Sequence, residues 1–203
     1  METPRLPFSD ADEFLERQFA DIDLTRGNLS GKTFEGGTFN ACDFSELKLL
    51  QCKFVECEFK ACNLSLVNVQ SSRFRSVALQ ECKALGIDWT RADWPRFPGQ
   101  AQLKFHKCIL NDSSFFGLAL EECVFDYCKA RDVDFREANL TDARCSFTDF
   151  AGALFGKTNL SGADFSDAID YEIDIFNNLI KGAKFSRSEA VRLLTSLQIV
   201  LVD

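Results

Sequence analysis

The groups in this chain that could do chemistry are nine cysteines, one histidine and 31 acidic residues. Closely spaced cysteines could hold zinc, a histidine beside a serine or cysteine could activate a nucleophile, and paired carboxylates could exchange protons with a substrate. The spacings favour none of these. Cys52, Cys57 and Cys62, and again Cys123 and Cys128, recur every five residues rather than as C-x-x-C. His106 follows Phe105 and sits between Lys104 and Lys107 as a solvated side chain, and a single histidine rules out a multi-histidine metal site. No phosphate-binding loop, dinucleotide fingerprint or nucleophile elbow occurs. The acids fall where nothing shapes a pocket around them. The chain therefore reads as a non-enzyme with no catalytic residue, no metal and no cofactor. Its cysteines read as reduced core thiols standing in for alanine, and their odd number suits a reducing compartment.

The elements that position these residues follow from the same five-residue step. Large apolar residues recur at Phe14, Phe19, Leu24, Leu29, Phe34, Phe39, Phe44 and Leu49, and the ladder continues through Phe54, Phe59, Leu64, Val69, Phe74 and Leu79 to Trp89 and Trp94. It resumes one residue out of phase at Phe105 and runs by Leu110, Phe115, Leu120 and Phe125 to Phe165, then Ile175, Ile180 and Phe185. Of the 21 phenylalanines, only Phe8, Phe97, Phe116, Phe147 and Phe176 lie off it. A step of five smears side chains around a helix and sends them to alternate faces of a straight strand. A backbone that bends once in every five residues points them all to one axis. Two residues before each ladder position the side chain is small or a thiol, as at Cys42, Cys62, Ser72, Cys108, Ala138 and Ala163. Small beside large fills a narrow core without overpacking.

The units Cys62-Asn63-Leu64, Ala138-Asn139-Leu140, Thr158-Asn159-Leu160 and Ala163-Asp164-Phe165 resemble the pentapeptide-repeat family, A-(D/N)-L/F-x-x, over roughly residues 12–187. That resemblance implies an all-β solenoid, a right-handed quadrilateral β-helix with four units per coil. At strand spacing, about eight coils make a rod ~40 Å long. The expected organisation is an N-terminal extension at 1–11, the β-helix at 12–187 with a loop at 95–102, and a C-terminal α-helix and tail at 188–203. There is no 18-residue apolar run for a membrane span. The acids and prolines of Met1–Phe14 leave no apolar signal-peptide region, so a cytoplasmic location is expected.

Charge narrows the partners. With 31 acids against 23 bases, net −8, direct nucleic-acid binding is disfavoured for want of a basic track. The acids cluster. From Cys108 to Cys128 lie Asp112, Glu121, Glu122 and Asp126 with no Lys or Arg, and from Thr158 to Ile180 lie Asp164, Asp167, Asp170, Glu172 and Asp174, again with no base. At twenty residues per coil, Asp23 stacks over Asp43, Asp112 over Asp132 and Glu122 over Asp142. Like charges so placed oppose folding. They serve either a partner or simply the dispersal of a long rod.

Four local features remain. Arg96 and Phe97, in the Pro95–Gln100 break, are either exposed contacts or part of a tolerated insertion. Tyr127 and Phe147, twenty apart, form a contact patch or a covering for the flank. Asp170 stands at an inward position, where an unpaired carboxylate is costly, so the stretch Ala168–Ile173 should distort and turn an apolar neighbour inward. Ser186 to Glu189 reads as a capping box opening a helix in which Val191, Leu194 and Leu197, followed by Ile199, make a lid or a homodimer contact. A short strand candidate follows at Gln198–Val202.

Finer similarity singles out a subgroup. Cys62-Asn63-Leu64-Ser65-Leu66, Cys82-Lys83-Ala84-Leu85-Gly86-Ile87, Tyr171-Glu172-Ile173-Asp174 and Ile180 through Ser186 look like the Qnr quinolone-resistance and albicidin-resistance proteins. That resemblance implies a cytoplasmic dimer whose rod mimics duplex DNA, binds DNA gyrase or another type II topoisomerase, and protects it from poisons. The partner-binding residues would then be Asp112, Glu122, Asp126, Asp164, Asp167, Glu172 and Asp174. A protein-interaction scaffold docking a different partner is the alternative.

Overall fold

Twenty residues carry the backbone once around a four-sided rod. A computed structural model of the chain describes residues 8–95 and 102–199. On the first face the three-residue strands Glu13–Leu15, Thr33–Glu35, Lys53–Val55 and Arg73–Arg75 pair in parallel, with Phe14, Phe34, Phe54 and Phe74 in register. The second face runs Phe19, Phe39, Phe59, Leu79, Phe105, Phe125 in the same manner. The third face is held by bridges from Asp23 through Asp43, Asn63, Lys83, Ile109, Lys129 and Asp149 to Ile169. The fourth pairs Asn28–Ser30 with Lys48–Leu50 and continues by bridges.

Each corner turns on a residue in the left-handed region, two positions after the inward residue: Glu16, Asp21, Arg26, Gly31 and their equivalents up the rod. Corner amides bond to the next coil, as Glu16 N–H does to the Glu35 carbonyl at 2.7 Å and Gly36 N–H to that of Val55 at 2.9 Å. The backbone is thus satisfied between coils rather than within a helix.

The ladder points inward, and Phe34, Phe105, Phe115, Phe125, Phe135 and Phe165 have no exposure. Rings on one face stack nearly parallel, Phe39 on Phe59 at 4.6 Å and Phe115 on Phe135 at 5.4 Å. Rings on neighbouring faces meet edge to face, Phe34 on Phe39 at 5.3 Å. The small inward residues do more than fill space. The Cys52, Cys57 and Cys82 thiols donate to the carbonyls of Leu29, Phe34 and Phe59, at 3.3–3.4 Å. Ser72 and Thr148 make the same bond to Leu49 and Phe125, and each also accepts from the amide of the cysteine one coil below, Cys52 and Cys128. All nine cysteines are buried and unpaired by disulfides.

At the break, the offset between stacked residues grows from 20 to 26, as between Ile87 and Ser113. Trp94 turns back and its indole N–H donates to the Trp89 carbonyl at 2.8 Å, while Trp89 stacks on Phe115 across the step. Gln102 has already rejoined the sheet, accepting from Val77 N–H. Arg96 and Phe97 lie outside the described residues.

Both ends are plugged. Phe8, off the ladder in sequence, folds over the first coil edge-on to Phe14 and Phe34. At the other end Asp170 takes the left-handed conformation and turns out, and Tyr171 fills its place with no exposure. Asp170 then pairs with Arg192 at 2.6 Å, and Arg192 also holds Glu189 at 2.7 Å. That contact replaces the anticipated capping box: Ser186 makes no side-chain cap, and its hydroxyl instead bonds to Asp167 while Glu189 accepts from Asp170 N–H. The helix is also shorter than its sequence suggests, one α-turn at Arg187–Ala190 and then a 3-10 segment at Val191–Leu197. The Thr195 and Ser196 hydroxyls bond back to the carbonyls three residues earlier and tighten the winding. Leu193 packs on the core, whereas Val191, Leu197 and Ile199 are exposed and Leu194 is half-buried. No strand forms at Gln198–Ile199, and Val200–Val202 lie outside the described residues.

Two outcomes follow. The Tyr171 hydroxyl is buried without a partner, so Tyr171→Phe should leave stability unchanged or raise it in urea denaturation, whereas Tyr171→Ala should cost about 3–5 kcal/mol. A loss above about 1 kcal/mol in the Phe variant would show the hydroxyl to be satisfied. Burial pushes the Cys57 and Cys123 thiols up to about 11. Native protein at pH 8 should therefore resist iodoacetamide, with all nine thiols reacting only after denaturation, as counted by mass spectrometry.

Candidate protein-interaction surfaces

Because inward positions are fixed, side chains available to a partner stand on the faces and corners, and the corners differ sharply in charge. After the first face, Glu122 and Asp142 follow one another up the rod, and after the third face, Asp112 and Asp132 do the same. These two corners are diagonally opposed across the square section. All four side chains are exposed and none makes an ion pair among the described residues. Glycine completes both columns, Gly152 and Gly162 at φ 71° and 72°, with the Asp132 and Asp142 carboxylates lying across them in the space a Cβ would take. The corner after the fourth face is neutral, with Lys157 paired to Glu137 at 3.6 Å. The corner after the second face carries Lys107, Tyr127 and Phe147.

The seven acids singled out in the sequence do not gather on one face. Asp112 and Glu122 stand on the opposed corners. Asp126 does not present a free carboxylate: it is 8% exposed and bonded to Arg144 at 2.9 Å, His106 at 3.2 Å and Ser146 at 3.1 Å. His106 is correspondingly half-buried rather than a solvated side chain. Asp164 pairs with Lys184 at 3.6 Å, and Asp167 bonds Ser186. Glu172 and Asp174 are exposed near the last coil, Asp174 capping Phe176 N–H. The unpaired acids that belong beside Asp112 and Glu122 are Asp132 and Asp142, and the twenty-residue spacing alone identifies them. The stacked Asp23 and Asp43 are relieved by hydrogen bonds to Thr25 and Ser45, with Asn63 donating to Asp43.

Face carboxylates pair both within a coil, as Asp134 with Arg136, and between coils, as Asp149 with Arg131. Two hydrogen bonds from Arg136 hold Asp134 below the ordinary carboxylate range. For Asp149 burial pushes the other way, but the Arg131 hydrogen bond, the Ala151 amide and the charges of Arg131 and Lys129 together outweigh it, leaving the group more acidic than usual. Among the described residues no cluster of His, Cys, Asp and Glu could hold a metal ion, and no helix is long and apolar enough to cross a membrane.

Comparison with known proteins adds the following. A family model described as "Pentapeptide repeat region" matches residues 32–97 and 101–165. Two trypsin-treated variants of QnrB1, a plasmid-mediated fluoroquinolone resistance protein, superpose with TM-scores of 0.64 and 0.62 at 20% identity. Each match covers 94% of this chain, and 92% and 100% of the QnrB1 chains. HetL, from the cyanobacterium Nostoc sp., matches at 15% identity over 84% of both chains with a TM-score of 0.44. Comparison with curated protein sequences gives no match. At 20% identity the likeness to QnrB1 establishes the fold.

Asp134 and Asp149 are more acidic folded than unfolded, so the stability they contribute is complete above pH ~4 and is lost as pH falls through their depressed values. The urea midpoint should hold steady from pH 7 to about 5 and drop below about 4. The drop should be shallower in the Asp134→Asn, Asp149→Asn double variant. An identical acid profile for both proteins would exclude these carboxyls as its cause.

Proposed function

The chain belongs to the pentapeptide-repeat family, and on that premise we propose that it is a non-enzymatic DNA mimic. In this reading it binds DNA gyrase or another type II topoisomerase and protects it from quinolone- or albicidin-type poisons. The observation that carries the reading is the pair of diagonally opposed corners bearing unpaired, stacked carboxylates, Glu122 with Asp142 and Asp112 with Asp132. Two parallel rows of negative charge on a stiff rod imitate the two phosphate strands that flank a duplex. A basic DNA-binding saddle would be steered to them electrostatically. Asp164, Asp167, Glu172 and Asp174 extend the acidic surface toward the last coil, with Asp126 and Asp164 attenuated by their partners. Arg96 and Phe97 serve as secondary contacts with the enzyme. Val191, Leu194, Leu197 and Ile199 join two copies in a cytoplasmic homodimer.

A second reading, a scaffold for another protein, is favoured by the exposed Tyr127–Phe147 stack at 4.5 Å. A gyrase supercoiling assay with a fluoroquinolone separates the two. The protein should restore supercoiling, and Asp112→Lys, Glu122→Lys, Asp132→Lys and Asp142→Lys combined should require at least ~10-fold more protein, with wild-type rescue weakening steeply in salt. Equal rescue by the reversed variant, or none by the wild type, would sink the mimic.

A further inference from the structure

The corner after the second face is opposite in character to the acidic pair. Tyr127 and Phe147 stack there with ring planes 2° apart and are 50% and 46% exposed. Both adopt positive φ, 54° and 55°. A bulky side chain is disfavoured in that conformation, and an exposed ring gains nothing from water. At this same corner other coils carry Asp21, Ala41, Ala61, Glu81, Lys107 and Asp167, and serine stands at positive φ on other corners, as at Ser71 and Ser76. His106 meets the Tyr127 ring edge-on at 5.7 Å.

Cations surround this ridge. Lys104 on the second face, and Lys83 and Lys129 on the third, are exposed and make no ion pair among the described residues. Most nearby carboxylates are paired: Glu81 with Lys107 at 3.6 Å, Asp126 with Arg144 at 2.9 Å and Asp149 with Arg131 at 2.6 Å, while Asp167, one coil beyond Phe147, makes no ion pair among the described residues. Beside the ridge the short side chains of Ala78 and Val124 leave a shallow depression of about 440 Å³, edged by Gln80, Lys104, His106 and Arg144. A chain of net charge −8 thus carries one positive, aromatic strip.

We propose that this strip is a second docking surface, which takes an acidic segment of a partner protein bearing an aromatic side chain. The partner's ring lies against Tyr127 and Phe147, and its carboxylates reach Lys83, Lys104 and Lys129. Charge complementarity selects the occupant. An extended nucleic acid suits the strip poorly, because the corners on either side carry Glu122 with Asp142 and Asp112 with Asp132, which would face its phosphates. The surface does not depend on the topoisomerase reading, since it uses none of the acidic corner residues.

The test is fluorescence anisotropy of a labelled peptide of alternating Glu and Asp with one central Trp, against a matched peptide with Ser for Trp. The Trp peptide should bind the wild-type protein more tightly than the Ser peptide, and its affinity should fall with salt. Lys104→Glu with Lys129→Glu should weaken both peptides at least ~10-fold. Tyr127→Ser with Phe147→Ser should abolish the preference for Trp. Serine already occupies such corners, so this variant should keep the wild-type circular dichroism spectrum. Asp112→Lys with Glu122→Lys should leave peptide binding intact, which separates this surface from the acidic one. Absence of binding, affinities unchanged in either edge variant, or tighter binding of a labelled single-stranded oligothymidine would overturn the proposal.

Discussion

The structure depends on parallel hydrogen bonding between coils that are in register residue for residue. Once Phe34 must sit over Phe14 and Phe54 over Phe34, each column of the rod holds chemically related neighbours at about 4.8 Å. In the interior this is favourable, because phenyl rings stack and thiols or hydroxyls meet the carbonyl a coil below. On the surface the same geometry forces like charges together unless the sequence alternates them. Arg26 beneath Glu46, at 3.0 Å, and Glu137 beneath Lys157 are alternations of that kind. Asp112 beneath Asp132 is not. A repulsion of this sort lowers stability, and the buried aromatic stacks of the central coils supply the excess that lets it persist.

Corners give the rod its individuality. A left-handed residue every five positions tolerates Gly, Asn and Asp best and bulky residues worst. Because corner side chains project farthest from the axis, they are the first atoms a partner meets. In the second half of the rod the four edges differ accordingly: Glu122 with Asp142 and Asp112 with Asp132 stand on diagonally opposed edges, the Glu137–Lys157 pair on a third, and Tyr127 with Phe147 on the fourth.

Much of this was legible in the sequence. The five-residue ladder identifies the inward Phe and Leu residues, the small residues beside them, the break after Trp94, and the impossibility of an inward Asp170. What escaped it were contacts off the twenty-residue columns, between residues 18 or 23 apart. Arg144 reaches back to Asp126 across 18 positions, and Thr148 to the Phe125 carbonyl across 23. Neither distance is special until the coil length is known and the chain is written in rows of twenty. The capping box failed for a related reason. Ser186 and Glu189 have the right local spacing, but Asp167 and Asp170, one coil below, offer them better partners. Phe8 carries no periodic signal, since a plug belongs to no column.

The break shows how far the register constraint extends. Six extra residues between Leu79 and Phe105 leave the pairing of those two positions intact, and the chain is back in register by Gln102, whose carbonyl accepts from Val77 N–H. Trp89 and Trp94 are large enough to keep the core continuous past that point, the first stacking forward on Phe115 and the second lying against Phe74. An insertion on a face would instead shift inward residues outward for every later coil. Variation in such a rod is therefore confined to corners, ends and outward positions. The residues that distinguish this chain, from Asp112 and Glu122 to Tyr127 and Phe147, all stand there.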